Sequence, residues 1–272
     1  ATLNQMVIEN GCHLNTGFLS TPFLCDVLAK YGYADTAYKL LLQPDAPGWL
    51  YEVRVGATTV WERWNSLDEN GRISSTGMNS LNHYSYGAVL EWIFRHVAGI
   101  DVTEQGPGGK MMRISPKVDH KLGSASAVYD SASGCYRCGW QIENGDQITV
   151  TVTVPFGAKA QVILPYAPDS VYHDTDNPLF ETVENGICCV KAGQYTVTYK
   201  AASPLKKSYS VDSTLEDLLA EPAIRAFLSN MMEVDMIPDL AYGLTLRQAA
   251  EAFAGGVSAE QAQRLNALLE EF

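Results

Sequence analysis

The residues most suited to chemistry lie in the run Trp61-Glu62-Arg63-Trp64, where one carboxylate sits between two indoles and beside a guanidinium. Indole faces suit the apolar C–H faces of a pyranose ring, and a carboxylate between them can hold a water molecule or a sugar hydroxyl. A buried ion pair of Glu62 with Arg63 or Arg54 is the structural alternative, since such pairs are also common. These residues alone leave both interpretations open.

His83 supports the binding interpretation. It falls at the start of a predicted helix in the company of further hydrogen-bonding side chains, namely Asn79, Asn82, Tyr84 and Tyr86. A histidine in such a place is by default a satisfied polar residue, but Asn, Tyr, Trp and Glu together are what a polyhydroxylated ligand needs. The pattern therefore predicts a carbohydrate site that includes Glu62, Trp61, Trp64 and His83.

The elements that must position this site are helical. Apolar residues recur at helical spacing from Thr21 to Gly32, after Asp35, and from Asn82 to Val97, which predicts two antiparallel helices and a longer third one. Residues 44–81 between them form a long irregular segment that carries the Trp-Glu-Arg-Trp run. Loops of that length inside a compact helical domain are usually functional.

The spacing of apolar residues changes after residue 99 from the period of a helix to that of a strand. Seven short runs with strand composition follow, separated by turn signals such as Asn144-Gly145 and Asn185-Gly186. The predicted strands are 111–115, 124–130, 136–143, 147–154, 159–164, 187–191 and 194–199. This spacing predicts an antiparallel β-sandwich over residues 100–212.

Residues 213–272 return to helical patterns, with Thr214, Thr245 and Ser258 as predicted N-caps. Ten acidic and three basic side chains in this segment account for much of the net charge of −12. The acidic face is interpreted as a solvated surface, with docking to a partner as the alternative.

Composition excludes several functions. The acidic balance disfavours nucleic-acid binding, and no apolar run is long enough to predict a membrane span. Six cysteines in a chain of 272 residues indicate reduced core thiols rather than a disulfide scaffold. Zinc at Cys135 and Cys138 would need the adjacent pair Cys188-Cys189, whose side chains point to opposite faces of a strand. No metal and no cofactor are expected, although calcium and the cellular compartment are left open.

Several motifs resemble one known family in order and spacing. They are Thr16-Gly17-Phe18-Leu19-Ser20-Thr21-Pro22, Tyr38-Lys39-Leu40-Leu41-Leu42, Gly56-Ala57-Thr58-Thr59-Val60-Trp61-Glu62-Arg63-Trp64 and Gly77-Met78-Asn79-Ser80-Leu81-Asn82-His83-Tyr84-Ser85-Tyr86-Gly87-Ala88-Val89. They resemble the C-terminal part of the catalytic domain of bacterial α-L-rhamnosidases, glycoside hydrolase family 78. The resemblance is dense over residues 14–100 and looser beyond.

The resemblance implies a multidomain α plus β chain with three segments. Residues 1–99 would be part of a six-hairpin α/α barrel, residues 100–212 an antiparallel β-sandwich, and residues 213–272 a small acidic helical extension. It also implies an inverting hydrolase of terminal α-L-rhamnosyl groups, with a rhamnose-containing glycoside as the ligand. In that scheme Glu62 is the general base, His83 contacts the sugar, and Trp61 and Trp64 wall the site.

The family's general acid belongs to a motif that is absent from residues 1–272. The chain also begins as though a helix were already under way, so we expect a C-terminal fragment that is inactive alone. An open half-barrel predicts dimerisation or a compensating partner that covers it. The alternatives are a non-catalytic carbohydrate-binding or structural module, an α/α-barrel hydrolase or lyase for another sugar, and an interaction module built on the acidic tail.

Overall fold

The computed structural model describes residues 2–74, 77–174, 176–206, 208–231 and 233–270. Their contacts define two compact units: Ala1–Gly87 together with Lys207–Phe272, and Ala88–Lys206. The boundaries expected after residues 99 and 212 divide the chain by sequence pattern rather than by contact, and they stay a prediction.

The first unit is helical. Its elements before residue 88 are α1 (Thr2–Glu9), α2 (Thr21–Lys30), α3 (Ala34–Leu41), α4 (Trp49–Arg54) and most of a 3-10 turn (Ser85–Ala88). Pro22 in the first turn of α2 suits a helix start, because the missing N–H would be unpaired there in any case. Helices α2 and α3 form the predicted helical hairpin, with Leu28 and Leu40 fully buried. The segment expected to be irregular contains one short helix, α4.

The long helix predicted over residues 82–97 begins later and is less regular. The 3-10 turn leads into α5 (Val89–Trp92) and then into a π-helical stretch (Ile93–Val97). Residues before Ser85 are instead committed to backbone pairing with residues 60–62, described below.

The C-terminal segment has its own hydrophobic core. Its α-helices are α6 (Leu215–Leu219), α7 (Pro222–Ser229), α8 (Leu246–Ala254) and α9 (Ala259–Leu269). Leu218, Ile224 and Leu269 are fully buried in this core. All three predicted caps are confirmed: the Thr214 hydroxyl accepts the Asp217 N–H, and Thr245 and Ser258 each form a capping box.

This segment is anchored to the N-terminal helices by a buried polar contact. Lys39 on α3 donates to the carbonyl of Ala220 at 2.8 Å, and its ammonium lies 3.7 Å from the Glu221 carboxylate. The side chains of Lys39 and Glu221 are 16% and 6% exposed. The Cys12 thiol donates to the same carbonyl at 3.5 Å. The acidic segment is therefore docked within the first unit at this edge, besides presenting charges to solvent.

The second unit contains two sheets. The strands are β1 (Ile100–Val102), β2 (Met111–Ile114), β3 (Ser124–Ser131), β4 (Gly134–Glu143), β5 (Gln147–Val154), β6 (Lys159–Ile163), β7 (Val183–Glu184), β8 (Ile187–Val190) and β9 (Gly193–Lys200). One sheet has the order β1-β2-β6-β8-β7 and the other β3-β4-β5-β9. Both predicted Asn-Gly turns join adjacent strands, and φ is positive at both residues of each pair. Asn185-Gly186 forms a two-residue loop, as in a type I′ hairpin, whereas Asn144-Gly145 lies in a three-residue loop with Asp146.

The sandwich differs from the prediction in two respects. Strands β2 and β6 pair in parallel, so the first sheet is not fully antiparallel. The short strands β1 and β7 were not predicted, because two or three residues are too few to show a period of two. Strand β5 shows the expected alternation, with Ile148 and Val150 buried between more exposed threonines.

The six cysteines are free thiols that form no disulfide. Cys188 is buried and Cys189 exposed, as expected for neighbours on a strand. Burial raises the pKa of the Cys138 thiol to about 12 and that of Cys188 to about 11, which keeps both protonated. Within the described ranges, no three His, Cys, Asp or Glu side chains are grouped as a metal site. No helix formed by those residues is long and apolar enough to cross a bilayer.

We expect Lys39→Ala to destabilise the first unit by about 3 to 5 kcal/mol, because it removes a largely buried cation that lies 3.7 Å from the Glu221 carboxylate. Urea denaturation would measure the free energy of unfolding. The control is Arg54→Ala, which removes an exposed ion pair with Asp45 at 3.4 Å and should cost only about 0 to 1 kcal/mol. Equal losses for the two variants would contradict the anchoring role.

Candidate functional site

The predicted site is organised by two stretches of irregular chain that run antiparallel to each other. Glu62 N–H donates to the carbonyl of Ser80 at 2.9 Å, and His83 N–H donates to the carbonyl of Val60 at 2.8 Å. The Ser80 N–H in turn donates to the Glu62 carboxylate, at 2.7 Å from Oε2. This pairing places Glu62 and His83 on one scaffold although 20 residues separate them in sequence.

A second set of polar contacts closes the same pairing at its other end. The fully buried Ser66 hydroxyl donates to Asn79 Oδ1 at 2.5 Å and accepts the Arg63 N–H at 3.3 Å. The Asn79 amide donates to the Ser66 carbonyl at 3.2 Å, and Arg63 Nε donates to the carbonyl of Met78 at 2.9 Å. Arg63 therefore holds the backbone at Met78. The role of Glu62 stays a prediction.

Trp64 lies in an aromatic cluster. Its ring stacks on Tyr86 with centroids 3.7 Å apart and planes 11° from parallel, and it meets the edge of Trp49 at 5.4 Å. Trp64 Nε1 donates to the carbonyl of Thr16, and Trp49 Nε1 to that of Tyr86. The indole of Trp64 is half-buried, so part of its surface is open to a ligand.

Trp61 differs from its neighbour because its side chain is only 2% exposed. A residue that walls a sugar site must present a face to the ligand, and Trp61 presents almost none in this chain. Its position supports the backbone of Glu62 from the core. A direct sugar contact by Trp61 stays a prediction.

His83 is half-buried in a stack of three rings. Phe18 lies on it at 4.7 Å and 14°, and Tyr84 at 5.3 Å and 15°. Ser85 N–H points to His83 Nδ1 at 3.4 Å, so the proton of a neutral imidazole belongs on Nε2, where it can be donated to a hydroxyl. Phe18 is 42% and Tyr84 87% exposed. The ring stack was missed in the sequence because Phe18 and His83 lie 65 positions apart.

Glu52 is a second carboxyl that the sequence analysis missed. It lies on α4 and is 4% exposed. Its Oε2 accepts the Trp61 N–H at 3.4 Å, and its Oε1 has no hydrogen-bond partner among the described residues. Burial raises the pKa of this carboxyl from 4.5 to about 7, and the hydrogen bond from Trp61 opposes the shift. The available signal was a charged residue within the apolar run from Trp49 to Val53.

Two further acidic side chains have structural partners. Asp68 Oδ1 accepts the N–H groups of Asn70 and Arg72 at 2.9 and 2.8 Å, which closes a turn. Glu91, in the second unit, pairs with Arg95 at 3.0 Å, one helical turn further on. The arrangement around Glu62 offers a polyhydroxylated ligand a carboxylate, an imidazole and an aromatic surface.

Two family models match the chain. The bacterial alpha-L-rhamnosidase 6 hairpin glycosidase domain matches residues 1–97, and the bacterial alpha-L-rhamnosidase C-terminal domain matches residues 99–177. An alpha-L-rhamnosidase of Alteromonas sp. (strain LOR) is 40% identical over 185 residues, which are 67% of this chain and 19% of that protein. One from Formosa agariphila is 38% identical over 183 residues, again 67% and 19%.

Solved structures show the same similarity. The Streptomyces avermitilis alpha-L-rhamnosidase complexed with L-rhamnose matches with a TM-score of 0.64 and 35% identity, over 72% of this chain and 19% of that one. The Aspergillus terreus enzyme matches with a TM-score of 0.61 and 29% identity, over 74% and 21%. These matches confirm the predicted family and fold class. The chain spans about a fifth of the length of the curated relatives it matches.

We expect Glu52 to make the protein less stable as the pH rises. Because its pKa is higher folded than unfolded, the stability it contributes is full below about pH 4.5 and is lost as the pH passes through 7. Glu52→Gln should therefore be more stable than the parent at pH 8, on the order of 1 to 3 kcal/mol, and nearly equal at pH 4.5.

Urea denaturation at several pH values would measure this difference. Glu52→Met removes the same carboxyl with a side chain of similar length and should flatten the pH dependence in the same way. Parallel stability curves for the parent and both variants would show that this carboxyl does not titrate as its burial requires.

Proposed function

Because this chain belongs to the bacterial α-L-rhamnosidases, we propose that it forms the C-terminal part of the catalytic region of an inverting enzyme that removes terminal α-L-rhamnosyl groups. The observation that carries the proposal is the state of Glu62. Its side chain is half-buried, Oε2 accepts the Ser80 N–H at 2.7 Å, and Oε1 has no hydrogen-bond partner in the described part of the chain. One oxygen is held while the other can accept a proton from water.

In the proposed reaction Glu62 acts as the general base. A water molecule held by Glu62 attacks the anomeric carbon and gives its proton to the carboxylate, while the bond to the leaving oxygen breaks on the opposite face. A carboxylic acid must protonate that leaving oxygen from a position roughly 6.5 to 9.5 Å away from the base. The Ser80 amide fixes the direction of the base, since a carboxylate with one oxygen held has less freedom to turn.

The neighbouring aromatic and imidazole groups suit the sugar. His83 can donate from Nε2 to a rhamnose hydroxyl while Ser85 keeps its ring in place. The half-buried indole of Trp64, rigid on Tyr86, offers an apolar surface near the base. A tryptophan facing an oxocarbenium-like transition state contributes on the order of 0.5 to 2 kcal/mol as a cation–π contact.

The proposed acid is not supplied by this chain. Asp68 is occupied in its turn, and Glu52 is buried behind Trp61, so neither is placed to protonate a leaving group. We therefore propose that the chain alone does not hydrolyse rhamnosides. The second candidate function is a module that binds a sugar without hydrolysing it, and the missing acid favours this function too.

An exposed apolar surface fits a chain that needs a partner. Several large apolar side chains near the site are uncovered: Phe18 at 42%, Leu19 at 89%, Met78 at 81%, Leu81 at 37% and Tyr84 at 87%. Residues 1–97 match a domain that is named for six hairpins. The helices that the structure describes in that segment form fewer than six hairpins. We propose that the rest of such a domain covers these side chains, and that a second copy of the chain does so in its absence.

The catalytic role can be tested in a chimera. The Streptomyces avermitilis enzyme would carry this chain in place of its own matched segment, and release of rhamnose from an aryl α-L-rhamnoside would be measured. Glu62→Gln should reduce the rate by about 10² to 10⁴, as expected for removal of a general base. Glu69→Gln, in the exposed turn beside Asp68, is the matched control and should retain activity.

The isolated chain should release no rhamnose in the same assay. Hydrolysis by the chain alone would contradict the proposal that it lacks the general acid. An active Glu62→Gln chimera would contradict the proposal that Glu62 is the general base. Binding of L-rhamnose by the isolated chain that survives in Glu62→Gln, together with an inactive parent chimera, would favour the non-catalytic module.

The exposed surface predicts self-association of the isolated chain, because apolar side chains of this size are normally covered. Light scattering after gel filtration should show a dimer that is weakened by Leu19→Ser with Met78→Ser. Phe156→Ser, which removes a 96% exposed side chain in the second unit, should leave the dimer unchanged. A parent chain that is monomeric and binds no hydrophobic dye would contradict the proposal.

A further inference from the structure

Glu52 stands apart from the other buried carboxylate in the described residues. Glu221 lies 3.7 Å from the ammonium of Lys39, which compensates its charge. Glu52 has only the Trp61 amide at 3.4 Å, and its Oε1 is buried with no partner in the part of the chain that the structure describes. A buried carboxyl without a hydrogen-bond partner lowers the free energy of unfolding, so packing alone does not account for Glu52.

The amide that Glu52 contacts belongs to the residue before Glu62. On the far side of the same dipeptide, Glu62 N–H donates to Ser80 at 2.9 Å and the Glu62 carboxylate accepts the Ser80 N–H at 2.7 Å. The backbone of Trp61 and Glu62 is therefore held between Glu52 on one side and Ser80 on the other. Two peptide units connect the first contact to the second.

The two carboxyls also share a neighbour. Burial raises the pKa of Tyr86, the charge of Glu52 raises it further, Arg63 lowers it and Glu62 raises it. Tyr86 stacks on Trp64 at 3.7 Å, so the charge of Glu52 acts on the aromatic cluster of the site. The titratable group that the charge of Glu52 reaches is thus Tyr86 in the 3-10 turn.

We propose that Glu52 is a positioning residue for Glu62: the charge state of its buried carboxyl sets how strongly the Trp61 amide is held, and thereby where the Glu62 carboxylate lies. The ionised form accepts the Trp61 N–H more strongly, because hydrogen bonds to a charged acceptor are shorter and stronger. The proton itself is exchanged with solvent water.

This inference rests on the proposed role of Glu62 as the base, but its test does not need catalysis. In the isotope-labelled full chain, NMR would follow the Trp61 amide and the side-chain carboxyl carbons of Glu52 and Glu62 between pH 4 and 9. We expect the Trp61 and Glu62 signals to show an inflection near pH 7 that coincides with the titration of Glu52. Both inflections should be lost in Glu52→Gln and retained in the exposed control Glu69→Gln.

Near-UV circular dichroism would establish that Glu52→Gln is folded, and Glu52→Met would replace it if it is not. An inflection that persists without the Glu52 carboxyl overturns the proposal. So does a Glu52 titration that the Trp61 and Glu62 signals do not follow, since the carboxyl would then be structural only. Failure of the chimera to hydrolyse rhamnosides would remove the proposed function and leave these NMR readings unchanged, so the two failures are distinguishable.

Discussion

The site depends on the need of an irregular backbone to satisfy its own hydrogen bonds. The described residues of 55–74 and 77–84 form no regular helix or long strand, and buried backbone groups without partners are costly. Pairing of residues 60–62 with 80–83 meets that need and uses the Glu62 carboxylate as one of the acceptors. The contact that stabilises the loop is therefore the same contact that orients the proposed base.

Aromatic packing makes this arrangement rigid. Trp64 is fixed between Tyr86 and Trp49, and both of the latter belong to short helices that frame the segment. Each indole N–H also donates to a backbone carbonyl, so the rings have little freedom to rotate. The tryptophans near Glu62 thus serve two purposes, since Trp61 builds the core beneath the base and Trp64 keeps a surface open beside it.

The chain carries features of a part that works with other parts. Its match to relatives covers about a fifth of their length, and large apolar side chains next to the site lie uncovered. The C-terminal helices, in contrast, have their own core and a buried anchor to α3 through Lys39. Stability at that end of the first unit is supplied locally, whereas large apolar side chains around the site are uncovered in this chain.

The sequence by itself determined the local features and the family. Caps at Thr214, Thr245 and Ser258 and the two Asn-Gly turns are set by neighbouring residues, so they could be predicted without a fold. Glu62 and His83 could be named because rare residue types recur around them in a characteristic order. Only the tertiary structure decided which groups meet across long separations: the parallel pairing of β2 with β6, the stack of Phe18 on His83, and Glu52 behind Trp61. Side-chain alternation is the same in parallel and antiparallel strands, and burial of a single carboxyl depends on what packs over it, so neither is encoded in local spacing.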